Sequence, residues 1–570
     1  MDSIFALVPS AERQAMKEPS SRTTQIAAPL RAADTIARWL EDRGITRVYG
    51  IPGGAISPFF DALNDCSLEL VECQHEGMAG HLAAGEALAT RRPGVLAVTS
   101  GPGILNAITP IAAAKEDEIP LLVLVGEVRS EWSGKGALQD GGPQGLNIGQ
   151  ILQPLTRFQA ALDEPGSVVE LMESAWQAAM TYPQGPAVIR LPVDQALARL
   201  QLPDHSALPP PPQPVMPDQA AIEEAAQHLR EAKRGAIIAG LGAQVRELGP
   251  ELSRLAAQLK MPILTDIEAR SLFAPDDPMV LGALGIGQTE KVSRYLAEPI
   301  DVLLTVGVRL DDTSTAGFTL TANSDCTRIQ MDHDPVRIGR AFAVDVAIVG
   351  DLALACEHLV EACGRRQEAG PSQPIVVPTP PFDPRVVVEV FEKRWPANTR
   401  FLSDIGNHLL FSAAMKTPPG GFQVRIGLGG MGASVGRAMG MAAEVGGVLP
   451  IVCICGDGTM LMVGNELATA VRYRVPLVLA VFDDGGWGMV NHGMKESYGR
   501  SAHGDRADVS LVDFARAMGA QAIDVMALSD LEPPDRLDGP LVLRIPIDPT
   551  VRPTNPRAAG FKGKNNAKGR

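Results

Sequence analysis

The sequence predicts an α/β protein built from three doubly wound parallel-sheet domains. Three observations carry that prediction. The chain has 570 residues, too many for one hydrophobic core. Two proline-rich stretches, 202–217 and 364–384, divide it into three blocks at 24–200, 215–364 and 383–550. Proline fits neither a helix interior nor a central strand, so both stretches read as stiff linkers. Inside each block, short apolar runs alternate with helical periods, the pattern of parallel strands covered on both faces.

In chain order, the first block has strand-like runs at 95–99, 121–125 and 187–191. The second has them at 235–239, 302–306 and 347–349, and the third at 450–455, 477–482 and 540–545. A small-residue helix is predicted over 79–89, and another helix over 463–474. Residues 1–23 and 551–570 are polar and mixed and read as flexible, with a lid over the site as the alternative for the C-terminal tail. No short-period repeat is visible, and a common fold for the first and third blocks is not readable from the letters.

Composition excludes several classes of function. The chain is 45% hydrophobic and 21% charged, as in an ordinary soluble enzyme. A net charge of −15 argues against a nucleic-acid partner. The seven cysteines form no CxxC pair, so reduced thiols are expected rather than a disulfide framework. No secretory signal and no membrane-length apolar span is visible, which points to the cytoplasm.

The chemistry concentrates in the third block. An apolar run ends on Gly456-Asp457-Gly458-Thr459, and a second ends on Asp483-Asp484-Gly485-Gly486. Asp457 and Asp484 are 27 positions apart. As consecutive strand ends they would meet at the C-terminal edge of one sheet, where α/β folds bind ligands. Two carboxylates there could hold one hard divalent cation such as Mg²⁺, with substrate phosphates as further ligands. The glycines would let backbone approach those phosphates. A plain strand–helix–strand unit with acidic turns would look the same from Gly-Asp-Gly alone. In the first block, Gln74-His75-Glu76 opens the small-residue helix, where a carboxylate is ordinarily a dipole partner. Thr99-Ser100-Gly101-Pro102-Gly103 forms a Gly-rich turn after a strand.

These segments occur in order with Tyr49-Gly50-Ile51-Pro52-Gly53-Gly54, Gly307-Val308-Arg309-Leu310-Asp311-Asp312, Asp332-His333-Asp334-Pro335, Asp404-Ile405-Gly406-Asn407-His408, Gly427-Leu428-Gly429-Gly430-Met431-Gly432 and Gly488-Met489-Val490. From about 24 to 550 the chain resembles the acetolactate synthase branch of the thiamine diphosphate enzymes. The resemblance implies a pyrimidine-binding first domain, a central domain and a diphosphate-binding third domain. It implies thiamine diphosphate bound through Mg²⁺, with Asp457, Asp484 and the carbonyl of Gly486 as metal ligands. Asp stands at 483 and 484 where the family has Asn, which adds negative charge beside the diphosphate.

Glu76 would exchange a proton with the aminopyrimidine from a largely apolar pocket. Pro52, Gly53, Gly406, Asn407, His408, Gly429, Met431, Gly456, Gly458, Thr459 and Met489 would line the cofactor. Met431 would be the apolar wedge that bends it; as a lone Met it would otherwise be a core gap-filler. Gly458 and Thr459 would donate to the phosphates. Gln139 would contact substrate. His492 is either an acid–base group or a solvent-facing helix residue. The implied reaction is decarboxylation of a 2-oxo acid donor and carboligation of the enamine to a carbonyl acceptor, in a homodimer or homotetramer with sites at the subunit interface. A plain decarboxylase releasing an aldehyde is the alternative, followed by a catalytically silent nucleotide- or flavin-binding protein, hinted at by Gly240-Leu241-Gly242.

Departures bear on substrate and on FAD. Thr313, Val193, Gly493 and Leu138 replace the family's Arg, Lys, Trp and Phe, so the channel should be wider and less cationic. Ile286-Gly287 replaces a His-Gly step that lies with FAD, which weakens the case for that cofactor.

Overall fold

A computed structural model of the chain describes residues 29–200, 214–318, 326–363, 381–501 and 506–553. Most of both proline-rich stretches, and the segments 1–23 and 554–570 expected to be flexible, lie outside the described residues. The remainder forms three six-stranded sheets and one two-stranded antiparallel pair, Leu30–Arg31 with Arg199–Leu200. Every strand pairing in the three large sheets is parallel. All nine apolar runs picked out above are strands.

Strand order reveals what the letters hid. Numbered in chain order within each sheet, the first and third sheets both run 2-1-3-4-6-5. The two blocks therefore share a topology. The middle sheet runs 3-2-1-4-5-6, the order of dinucleotide-binding folds. Strands buried on both faces read as unbroken apolar runs, and Leu121–Glu127 and Leu477–Asp483 are buried along their whole lengths. Among the described residues, no helix is long and apolar enough to cross a membrane. All seven cysteines are free.

Helix boundaries differ from the expected ones for local reasons. The small-residue helix spans Glu76–Thr90, starting at Glu76 itself, because the His75 side chain caps it by accepting from the Gly77 amide at 3.0 Å. In the third block, helix begins at Asp457, not near 463, with Gly456 extended before it. An aspartate in the first turn complements the helix dipole. The helix Asp457–Val463 is separated from Leu467–Arg472 by one 3₁₀ turn at Gly464–Glu466.

The first and third domains meet along helices Glu76–Thr90 and Ala433–Val445. Glycine makes this crossing possible. A Cβ on Gly85 would lie 2.1 Å from the Arg437 carbonyl, and one on Gly440 would lie 1.9 Å from the Leu82 carbonyl. One apolar core runs through both helices and both sheets, joining Leu82, Leu96, Met439 and Cys453.

Glu86 is buried in this seam, accepting from the Tyr49 hydroxyl at 2.5 Å. Burial pushes its carboxyl up to about 7 against the donors Tyr49 and Arg47. The folded chain therefore keeps this proton over a range where the unfolded chain has released it. Its contribution to stability is full below the unfolded value of 4.5 and is lost as pH rises through about 7. The loss is worth about 3 kcal/mol. Glu86→Gln is expected to remove this fall, raising the denaturation midpoint above wild type in mild alkali. Denaturant melts across that pH window check it; an unchanged pH slope would reject the assignment.

Candidate functional site

Two clusters of side chains stand at the C-terminal edges of the first and third sheets. In the first domain, strands Arg47–Gly50, Glu69–Glu72 and Gly94–Val98 deliver the 51–54 loop, Glu76 and the 99–103 turn to one edge. Gly53 packs on Thr99, so close that a Cβ would lie 2.5 Å from the Thr99 Cβ. Asn106 Nδ2 donates to Glu76 Oε2 at 3.0 Å. A Cβ on Gly103 would lie 3.6 Å from Oε1, so the 99–103 turn lies beside Glu76. Gln139 sits in left-handed backbone, φ 63°, with its side chain against Gly101, also left-handed at φ 62°. The fold thus brings Pro52-Gly53, Glu76 and Gln139 to one place. Glu76 is half-buried within the single chain, not enclosed in the apolar pocket expected for it.

In the third domain, strands Arg400–Ser403, Ile451–Gly456 and Leu477–Asp483 lie side by side and deliver Asp404, Asp457 and Asp484. Burial, then Asp484, then Asp483 push the Asp457 carboxyl up to about 7. Burial also raises Asp484. A Cβ on Gly488 would lie 1.9 Å from Asp484 Oδ2 and 3.1 Å from Asn407 Nδ2, so those groups converge on that glycine. The Gly485 and Gly430 positions open onto free space. Among the described residues, no three His, Cys, Asp or Glu side chains cage a metal by themselves. Two carboxyls supply part of a shell, which suits a cation that keeps phosphate and water ligands.

His408 is buried between Gly406 and Gly456, and burial lowers it to about 4, against the Asp404 carbonyl. It is neutral at pH 7, and its Nε2 is buried without a partner in the chain. Met431 is half-buried and stands outside the apolar clusters, unlike a core gap-filler. Gly429 beside it is left-handed at φ 66°. Met489 is half-buried on helix Gly488–Tyr498.

Several groups expected at the site have contacts inside the chain. The Thr459 hydroxyl donates to Asp404 Oδ2 at 2.7 Å and the Gly458 amide to Asp457 Oδ1 at 2.9 Å. The Thr459 hydroxyl and the Gly458 amide thus have partners inside the chain. His492 is partly exposed and has a partner at each ring nitrogen. Its Nδ1 pairs with Asn407 Nδ2 and its Nε2 with the Pro549 carbonyl, both at 3.1 Å. The ring thus braces Asn407 against the Pro549 carbonyl.

Other groups gave no usable signal in the sequence. Asp404 is fully buried and accepts from the Gly432 amide at 2.9 Å, the Ser434 amide at 3.3 Å and Thr459. It ties the 429–434 turn to the Gly-Asp-Gly turn. The extra carboxyl, Asp483, lies between Arg506 at 3.1 Å and Arg544 at 2.7 Å. Its pKa is lowered because Arg544 and then Arg506 outweigh its burial. The ring of Trp487 lies over Gly458, 2.9 Å from where a Cβ would stand.

The strand-order crevice of the middle domain is packed. At the point where its strand order reverses, between Gly235–Ala239 and Val302–Val306, backbone fills the crevice. The Gly242 amide donates to the Gly307 carbonyl at 2.9 Å, and a Cβ on Gly240 would lie 2.6 Å from the Val308 Cα. The Asp266 carboxyl, pushed up to about 8 by burial and Glu268, lies beside Gly240, and Glu268 is paired with Arg309.

Comparison with known proteins agrees with the geometry. The thiamine pyrophosphate enzyme models match in three parts: the N-terminal TPP binding domain over 30–144, the central domain over 222–359 and the C-terminal TPP binding domain over 404–534. A probable acetolactate synthase large subunit of Methanocaldococcus jannaschii is 30% identical, covering 91% of this chain and 92% of its own length. The acetolactate synthase isozyme 2 large subunit of Escherichia coli is 29% identical over 91% of this chain and 96% of its own. The solved benzoylformate decarboxylase from Polynucleobacter necessarius superimposes with a TM-score of 0.81 at 21% identity, covering 92% of this chain and 100% of that one, and bears on the fold alone.

Proposed function

Because this chain belongs to the thiamine pyrophosphate-dependent enzymes and is of the acetolactate synthase type, we propose that it decarboxylates a 2-oxo acid and joins the remaining unit to a carbonyl acceptor. Thiamine diphosphate and Mg²⁺ are the proposed cofactors. The observation that carries the metal assignment is the pair of acidic turns at one sheet edge. Asp484 lies near enough to raise Asp457, and two carboxyls that repel each other in a buried site call for a cation. The unpartnered Nε2 of His408 and the open space before Gly430 and Gly485 suit a polar group seated there.

When bound, the cofactor supplies an electron sink for the pair released with CO₂. The protein's part is to bind, orient and move protons. Asp457, Asp484 and the Gly486 carbonyl hold the cation. Asn407 and His408 line the diphosphate, and Gly406, Gly456, Gly458 and Met489 border it. Met431 supports the rings, with Gly429 offering its carbonyl. Glu76 exchanges a proton with a ring nitrogen of the pyrimidine, with Asn106 holding its Oε2. Gln139, on the same edge, contacts substrate. His492 braces Asn407 and moves no proton in this account.

A second copy of the chain completes the site. Leu428, beside Gly429, is 45% exposed, Trp487 over Gly458 41% and Val490 on the next helix 57% in the single chain. Apolar groups gathered at a catalytic edge are the surface a partner would cover. FAD has no role in this reading.

The test is product analysis with a panel of 2-oxo acids, with and without aldehyde and ketone acceptors. Carboligation gives C–C bonded products when acceptor is present. Free aldehyde alone, whatever the acceptor, would replace this reading with plain decarboxylation. For the metal, Asp484→Ala is expected to weaken Mg²⁺-dependent cofactor binding by at least about tenfold with the fold intact. Titration calorimetry measures it, and an unchanged affinity would place the cation elsewhere.

A further inference from the structure

Arg506 is held more firmly than any other cation at the acidic turns. Its Nε donates to Asp457 Oδ2 at 2.9 Å, and its Nη2 reaches Asp483 Oδ2 at 3.1 Å. Its Nη1 donates to the carbonyls of Ala507 and Val509, each at 2.9 Å, and its amide to the Gly485 carbonyl at 3.0 Å. The side chain is 14% exposed, and its two carboxyl partners are buried. One guanidinium therefore bridges both acidic turns. Asp457 Oδ1 takes the Gly458 amide, so the arginine occupies the other oxygen of the group assigned to the metal.

The charges explain why it is there. Three carboxyls, Asp457, Asp483 and Asp484, stand at the ends of two adjacent strands. Arg544 answers only Asp483 among them, through Nε at 2.7 Å, and shares its other arm with Asp524 at 3.0 Å. An asparagine at 483 would need no such partner. The aspartate does, and the fork of Arg506 spans from it to Asp457. Such a cation draws negative charge from the shared carboxyl and repels a second cation beside it.

We propose that Arg506 is the resident counter-cation of the acidic site. It clasps the two turns together, it lowers the site's affinity for a divalent cation, and Asp483 is the carboxylate that recruits it. The inference rests on the reading of Asp457 as a cation ligand. Arg506 is a positioning residue and touches no reacting atom.

The test uses the full chain stripped of metal by a chelator. Melting is followed first without cation, then across a Mg²⁺ titration at fixed thiamine diphosphate. Arg506→Gln is expected to melt lower than wild type without cation. It is also expected to reach half-maximal stabilisation at about fivefold less Mg²⁺ or lower, because the Coulomb repulsion is gone. Asp483→Asn, which removes the carboxylate that recruits Arg506, is expected to shift the Mg²⁺ midpoint in the same direction. Two variants with the same expected sign keep the test decisive if one fails to fold. A midpoint unchanged in the folded variants, or moved against this sign, overturns the proposal. If wild-type melting ignores Mg²⁺ and thiamine diphosphate altogether, the cofactor reading fails instead. The lower melting of metal-free Arg506→Gln would still report the clasp.

Discussion

Glu76→Gln is expected to lower turnover by about a thousandfold or more while leaving cofactor binding and stability near wild type. A positioned proton-transfer group contributes about 10²–10⁴-fold, and each decade is about 1.4 kcal/mol of barrier. Gln has nearly the shape of Glu and keeps an oxygen for the Asn106 amide now bonded at 3.0 Å. What it loses is the exchangeable proton. Glu76 is only half-buried in the single chain and starts a helix already capped by His75. The fold therefore asks little of its charge, and a change in melting would be small. Steady-state rates measured beside cofactor affinity separate the two roles. A variant that turns over near the wild-type rate with cofactor bound would remove Glu76 from the chemistry.

Legibility in the sequence followed the range of the interactions. Asp457 was readable because its signal is local: an apolar strand, then Gly-Asp-Gly opening a helix. The same holds for all nine strands, whereas the role expected of Glu76 came from the family resemblance and not from its helix start. Asp404 was quoted within a motif, yet its role could not be read. Its partners Gly432, Ser434 and Thr459 lie 28, 30 and 55 residues away. The contacts of His492 could not be read because its ring partners, Asn407 and Pro549, lie 85 and 57 residues away. Arg506 meets Asp457 across 49 residues and Asp483 across 23, with no periodicity to announce it. The common strand order of the first and third sheets was hidden for another reason. Topology is set by which edge each crossover returns to, and apolar runs carry no record of that.

The largest stability effect is expected at a site that touches no cofactor. Asp117 is buried just after helix Ile108–Glu116, with Oδ2 2.6 Å from Arg437 Nη2 and Oδ1 accepting from the Gly427 amide at 2.9 Å. Arg437 lies on helix Ala433–Val445, and both side chains are 2% exposed. Arg309 joins from the middle domain, donating to the Glu116 carbonyl at 2.9 Å and pairing with Glu268. One carboxyl thus sits where all three domains meet. Breaking a buried ion pair from one side strands the other charge, at a cost of about 3–5 kcal/mol. Asp117→Ala is expected to lose about that much, read as a large drop in the denaturant midpoint. It also frees the Gly427 amide, the anchor of the turn that leads to Gly429 and Met431, so cofactor affinity should fall with stability. Replacing both partners by apolar residues, Asp117→Leu with Arg437→Met, leaves no stranded charge and is expected to recover much of the stability but not the Gly427 anchor. If the single variant matched wild type in both stability and affinity, the junction would be passive packing, and the position of the Met431 turn would have to be set within the third domain alone.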